Sequence, residues 1–165
     1  MDKSPISNFQ SPIYLVSACL LGIRTTFDGR SHPTPALVKL AAQGRVIPIC
    51  PEMAGGLSLP RPPAEVVGGD GHGVLDGTTR VVTSGGADVT AAFLAGAQRA
   101  LATSRQHGIT VAILKARSPS CGCRFIHDGT FSEALVPGVG VAAALLQRHG
   151  LTVLSEEDQD RILEL

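Results

Sequence analysis

Three of the four cysteines in this 165-residue chain follow short apolar runs that read as β-strands. Cys19 comes after Ile13-Tyr-Leu-Val-Ser17, Cys50 after Val46-Ile-Pro-Ile49, and Cys121 a few residues beyond Val111-Ala-Ile-Leu114. In an open parallel α/β sheet the carboxyl ends of the strands share one edge, and ligands bind there at the switch in strand order. Thiols far apart in sequence then meet in space. None of the three belongs to a C-x-x-C pair, which disfavours a zinc ribbon or a thioredoxin-type redox site. Dispersed thiolates on one edge can hold a metal or cluster with one position unfilled by protein, and their softness selects iron-sulfur clusters, zinc or copper(I). Cysteine is also a common small core residue, so for any one of them the two readings are about even. The triple placement tips the balance toward ligation.

The elements that must position these thiols alternate. Residues 13 to 17 read as a first strand, Pro35 to Gln43 as a short helix opened by prolines and stopped by Gly44, and Val46 to Ile49 as a second strand. From Gly55 to Gly86 glycine and proline are dense, with Pro60-Arg-Pro-Pro63 and Gly68-Gly-Asp-Gly-His-Gly73. Turn residues at that density predict a shaped loop or hairpin excursion, with β-like pieces at Val66-Val67 and Arg80-Val-Val-Thr83. Asp88 then caps an amphipathic helix to about Gln106 whose buried face carries Val89, Ala92, Phe93, Gly96, Ala97, Ala100 and Leu101, with Gly108 as its stop. Ile109 to Leu114 has the near-continuous apolar character of a central parallel strand, Val139 to His149 reads as a helix ending at Gly150, and Leu151 to Leu154 as a fourth strand. Ser155-Glu-Glu-Asp158 reads as the start of a terminal helix, its carboxylates suited to the helix dipole.

Short right-handed connections between such elements predict an α/β fold, a three-layer flavodoxin-like or Rossmann-like sandwich with a mostly parallel sheet of at least four strands. Residues 13–165 are expected to form a single domain behind a flexible N-terminal segment, 1–12. No G-x-G-x-x-G follows the first strand, where the sequence is Ser17-Ala-Cys-Leu-Leu-Gly22, so a dinucleotide is not expected; Gly68 to Gly73 is read as loop with no helix behind it.

Charge narrows the partners. With 14 basic and 14 acidic residues the formal net charge is zero, which disfavours macromolecular nucleic acid or lipid as a partner, though a local basic pocket remains open. The first ten residues lack the apolar run of a secretory signal, and no apolar stretch approaches the roughly 18 residues of a membrane span. A cytoplasmic protein is expected, and in that reducing compartment four cysteines suggest a metal or catalytic role ahead of disulfides.

Five motifs in order carry a family resemblance: Ser17-Ala-Cys-Leu-Leu-Gly22, Cys50-Pro-Glu-Met-Ala-Gly-Gly56, Pro60-Arg-Pro-Pro-Ala-Glu65, Ser118-Pro-Ser-Cys-Gly122 and Asp128-Gly-Thr-Phe-Ser132. Together they resemble the thiouracil desulfidase family, over about residues 14 to 155. The resemblance implies an oxygen-sensitive 4Fe-4S cluster held by three cysteines, with one open iron, and non-redox removal of sulfur from thiouracils. Carried over by motif, the ligands are Cys19, Cys50 and Cys121, the catalytic glutamate is Glu52, and the serine is Ser118 or Ser120. The expected substrate is 4-thiouracil or a thiouridine nucleoside or nucleotide such as 4-thiouridine monophosphate. The alternative is a cluster-bearing protein that binds thionucleobases or sulfide without catalysis.

Elementary chemistry is compatible with these roles. A soft thiocarbonyl sulfur suits an open iron, which as a Lewis acid makes the ring carbon more electrophilic. Glu52, two residues from a ligand, is then a general base for water, or else a structural carboxylate that caps a helix or pairs with Arg61. The serines either bond the pyrimidine or merely turn the chain around Pro119. Arg24, Arg30, Arg61, Lys115 and Arg117, in or beside loops, are candidate phosphate donors, and Gly55 and Gly56 candidate sites of close backbone approach to an anion. Cys123 departs from the family pattern and is either a bystander thiol or a fourth ligand that would close the cluster. His107 and His149 fall at helix ends, and His32, His72 and His127 in loops.

Overall fold

Four short apolar runs make one parallel sheet in a computed structural model that describes residues 11–165. The chain begins with β1 (Tyr14–Ser17), a 3-10 turn (Ala18–Leu21), α1 (Pro35–Ala42), β2 (Val46–Ile49) and α2 (Pro51–Ala54). β3 (Ala64–Val67), α3 (Gly71–Leu75) and β4 (Arg80–Thr83) follow, then α4 (Thr90–Gln106) and β5 (Val111–Leu114). The last third holds β6 (Phe125–His127), β7 (Leu135–Pro137), α5 (Val141–Arg148), β8 (Thr152–Ser155) and α6 (Gln159–Leu163).

The sheet order is β2-β1-β5-β8 with every pairing parallel, in registers such as Tyr14 with Val46, Leu15 with Ala112 and Val111 with Thr152. Strand order reverses between β1 and β5, so the switch point lies at their carboxyl ends. Side chains alternate across the strands. Leu15, Ala112 and Leu114 pack with Phe93, Ala97, Ala100 and Leu101 of α4 and with Val141, Ala142, Ala143, Leu145 and Leu146 of α5. Tyr14, Val16, Ile113 and Leu154 pack on the other face with Leu37 and Leu40 of α1 and Ile162 of α6. Helices therefore cover both faces, and the result is the expected three-layer sandwich.

The excursion after α2 is the antiparallel hairpin β3–β4, pairing Ala64 with Thr83 and Val67 with Arg80. Contrary to the sequence reading, a helix does stand behind the glycine-rich run: Asp70 accepts the His72 N–H at 3.0 Å and caps α3. Side-chain capping outweighs the low helix propensity of Gly71 and Gly73 there. Asp88 sits one residue farther from α4 than expected, since Val89 is the capping residue; its Oδ1 still accepts the Thr90 N–H at 2.9 Å. The terminal carboxylates also differ. α6 begins only at Gln159, while Glu156, Glu157 and Asp158 pair with Lys115, Arg117 and Arg124. Opposite charge across the fold holds Glu156 and Glu157 in place of a helix dipole, while Asp158 also stands at the N-terminal cap of α6. Of the segment read as a flexible N-terminus, residues 1–10 lie outside the described residues. Among the described residues no helix is long and apolar enough to cross a membrane.

Candidate active site

The carboxyl edge of the sheet holds a cavity of about 630 Å³ at the switch point, within the size range of small-molecule sites. Cys19 reaches it from the 3-10 turn after β1, Cys50 from the junction of β2 and α2, and Cys121 from the loop after β5. Glu52, Arg61, Lys115, Arg117, Ser118 and Ser120 line the same cavity, with His32 and His127. Three thiols more than 30 residues apart are brought together because parallel strands put all their loops of one polarity on one edge.

Other sequence candidates lie elsewhere. Arg24 and Arg30 are outside the wall; Arg30 is exposed and pairs with Asp28 at 3.4 Å. Gly55 and Gly56 also lie outside the wall. At Gly55 close backbone approach is real, but the neighbour is α4, where an added Cβ would meet the Ala92 oxygen at 1.9 Å. Cys123 lines a separate cavity of about 340 Å³ with Arg117, Arg124 and Phe125. His72 is engaged by Arg148, which donates to its Nδ1 at 3.1 Å, while His107 and His149 end α4 and α5.

Burial pushes the Cys19 thiol up to about 11, opposed by the Lys115 ammonium, and the Cys121 thiol up to about 12, opposed by hydroxyl donors. Those donors are Ser17 Oγ at 3.6 Å and Ser120 Oγ at 3.5 Å. Ser17 is itself held by the Lys115 N–H, which donates to its Oγ at 2.9 Å. Ser118 acts on the backbone instead: its Oγ accepts the N–H groups of Ser120 at 3.2 Å and Cys121 at 3.1 Å, fixing the turn.

Glu52 occupies the first turn of α2 with its side chain 17% exposed. Burial raises its pKa above the ordinary carboxylate value, while Arg61 and a hydrogen bond from Ser120 pull the other way. The Arg61 side chain is 4% exposed, and its Nη2 donates to the Thr25 carbonyl at 2.9 Å and to Glu52 Oε2 at 3.4 Å. The same nitrogen lies 4.0 Å from Cys50 Sγ, and Arg61 Nε and Nη1 are buried without partners. Buried N–H groups without partners call for hydrogen-bond acceptors at the site beyond Glu52 and the Thr25 carbonyl.

The donor set fits an iron-sulfur cluster: three thiols on separate loops, hydroxyl donors on Cys121, and cations beside Cys19 and Cys50. Among the described residues no three His, Cys, Asp or Glu side chains group around one metal ion. Thiolates that each take a different iron of a cluster need no such grouping.

Backbone strain concentrates here too. Among the described residues Arg117, Phe131 and Glu133 are the non-glycine positions with positive φ, at 67°, 56° and 65°, and all three line the cavity. Such conformations persist where surrounding structure over-determines them, as at functional sites. Sequence reasoning missed Phe27, Phe131, Glu65 and Ser17 as wall residues. The signal for Phe131 and Glu65 was their place inside motifs shared with the family.

Fold, converging thiols and a largely enclosed carboxylate define the class as an α/β protein with a cysteine-lined pocket at the sheet edge. The 2-thiouracil desulfurase family matches residues 14–158, and the chain belongs to that family, enzymes that take sulfur from thiouracil. It is 44% identical over 149 residues to the uncharacterised protein YbbK of Bacillus subtilis (strain 168), covering 90% of this chain and 99% of YbbK. It also superposes on the solved 4Fe-4S-dependent thiouracil desulfidase TudS with a TM-score of 0.82 and 43% identity, over 92% of this chain and 95% of TudS.

Proposed function

We propose that the protein is an iron-sulfur-dependent, non-redox desulfidase. In this reading it hydrolyses 4-thiouracil, or its nucleoside or nucleotide such as 4-thiouridine monophosphate, to the uracil product and hydrosulfide. The observation that carries the reading is the convergence of Cys19, Cys50 and Cys121 with buried Glu52 on one cavity. The cluster dependence of TudS supports those three cysteines as the residues that hold a 4Fe-4S cluster. When bound, a cluster with one iron not taken by protein supplies a Lewis acid for thiocarbonyl sulfur.

Glu52 takes a proton from the water that attacks the thiocarbonyl carbon. A carbon-oxygen bond forms, Glu52 returns its proton to sulfur as the carbon-sulfur bond breaks, and sulfur leaves with the bonding pair as hydrosulfide; the second water proton is released to solvent as the carbonyl forms, so no electron donor is required. Arg61 orients the Glu52 carboxylate, and Ser120 donates to the Cys121 sulfur beside it. Ser118 acts by holding the Ser120 and Cys121 backbone. For a nucleotide, the wall cations besides Arg61, which is paired with Glu52, are Lys115 and Arg117, and phosphate must compete with Glu156 at 2.6 Å and Glu157 at 2.5 Å.

The test is anoxic: the reconstituted protein is given 4-thiouracil and 4-thiouridine monophosphate, and loss of thiocarbonyl absorbance is followed with hydrosulfide release. Turnover that requires the cluster, and that falls by roughly 10²–10⁴ in Glu52→Gln with iron content unchanged, is the expected result. Substrate binding without turnover in a fully loaded wild type would overturn the catalytic reading in favour of a binding module.

A further inference from the structure

We propose that Phe27 and Phe131 bind the pyrimidine ring by stacking, with Glu65 as the positioning residue that holds Phe131; this rests on the desulfidase reading. The chain has no tryptophan, its one tyrosine is buried in the sheet, and Phe93 is buried in the core. Phe27 and Phe131 instead line the cavity from separate loops and remain 45% and 37% exposed. A single exposed phenylalanine needs no explanation. Two in the wall of one small cavity, with one of them strained, do.

The strain at Phe131 is held from below. Glu65 on β3 is 8% exposed, and its Oε1 accepts the N–H groups of Gly129 at 3.0 Å and Phe131 at 3.1 Å. Gly129 lies so close to β3 that an added Cβ would stand 2.6 Å from the Val66 oxygen. Asp128 Oδ1 braces the same turn by accepting the Thr130 N–H at 2.9 Å. A buried carboxylate thus fixes the backbone of a residue whose side chain borders the cavity. On the other loop, the Phe27 carbonyl accepts the Arg61 N–H at 2.9 Å, which ties the ring's backbone to the segment that positions Glu52. Rings held in this way suit a flat heteroaromatic base, which stacks on an aromatic face and cannot be gripped by charge alone.

The experiment uses the cluster-loaded protein under anoxic conditions, with 4-thiouracil as probe, and reads KM, kcat, iron content and the equilibrium-dialysis Kd for 4-thiouracil. Phe131→Leu and Phe27→Leu are expected to raise KM and Kd at least about fivefold each, with kcat within about twofold and iron content unchanged. Phe131→Tyr, which keeps an aromatic face, restores the wild-type KM; Glu65→Leu raises KM as Phe131→Leu does. If both leucine variants keep wild-type KM and Kd in a protein that turns over, the stacking role is overturned while the desulfidase reading stands. If the loaded wild type neither binds nor converts 4-thiouracil or 4-thiouridine monophosphate, both are overturned.

Discussion

Replacing Gly96 with alanine tests the mechanical link between the sheet and the site. Gly96 lies on α4, outside the cavity wall, and a Cβ built there would stand 1.9 Å from the Pro51 carbonyl oxygen. Real Cβ contacts below 3.0 Å essentially do not occur, and backbone cannot swing aside as a side chain can. α2 must therefore retreat by about 1 Å, and it carries Cys50 at its N-terminal cap and Glu52 in its first turn. Overpacking against backbone falls at the upper end of its usual range, about 3 kcal/mol, and alanine returns about 1 kcal/mol of helix propensity. The net loss of about 2 kcal/mol lowers the urea midpoint by about 1 M at a slope of about 2 kcal/mol per M. A 1 Å displacement of a reacting group costs roughly a hundredfold in kcat. The assay pairs urea titration with anoxic turnover of 4-thiouracil and iron content, with Gln98→Ala on the exposed face of the same helix as control. Wild-type midpoint and kcat in Gly96→Ala would refute the claim that α2 is clamped by this contact.

Other consequences are equally direct. Cys123→Ser is expected to keep wild-type iron content and turnover, because Cys123 lines the second cavity; Cys19→Ser should lose both, and iron analysis after anoxic reconstitution distinguishes them. The Asp88 carboxylate is held below its ordinary value by the hydrogen bonds it accepts from Thr90, so the stability it confers is present above the ordinary carboxylate pKa and lost as pH falls through the lowered one. Asp88→Ala should therefore unfold at lower urea than wild type at pH 7 and converge with it in acid, as followed by circular dichroism.

Much of the fold was legible because its signals are local. Apolar runs mark β1, β2, β5 and β8 to within two residues, and helix stops at Gly44, Gly108 and Gly150 follow from the left-handed backbone they adopt, with φ of 72°, 63° and 84°. The three sulfur positions were legible for the same reason, since each follows a recognisable strand. The β6–β7 hairpin was not, because each strand has only three residues and pairs only through the other. The partner of the close approach at Gly55 was not legible, because it lies on α4, 37 residues away, and nothing in the neighbourhood of Gly55 announces it.

Sequence alone determined the class of chemistry: soft sulfur donors at strand ends, a carboxylate two residues from one of them, and motifs in family order. Tertiary structure decided which candidates share the site. Strand order put Cys19, Cys50 and Cys121 on one edge; packing sent Gly55 and Cys123 elsewhere; and ion pairs across the fold took Glu156 and Glu157 away from the terminal helix. Ser17 on Cys121 and Glu65 beneath Phe131 join residues 104 and 66 positions apart. Contacts at such separations have no local signature, because the free energy that selects them comes from burial and hydrogen bonding that exist only once the chain has folded.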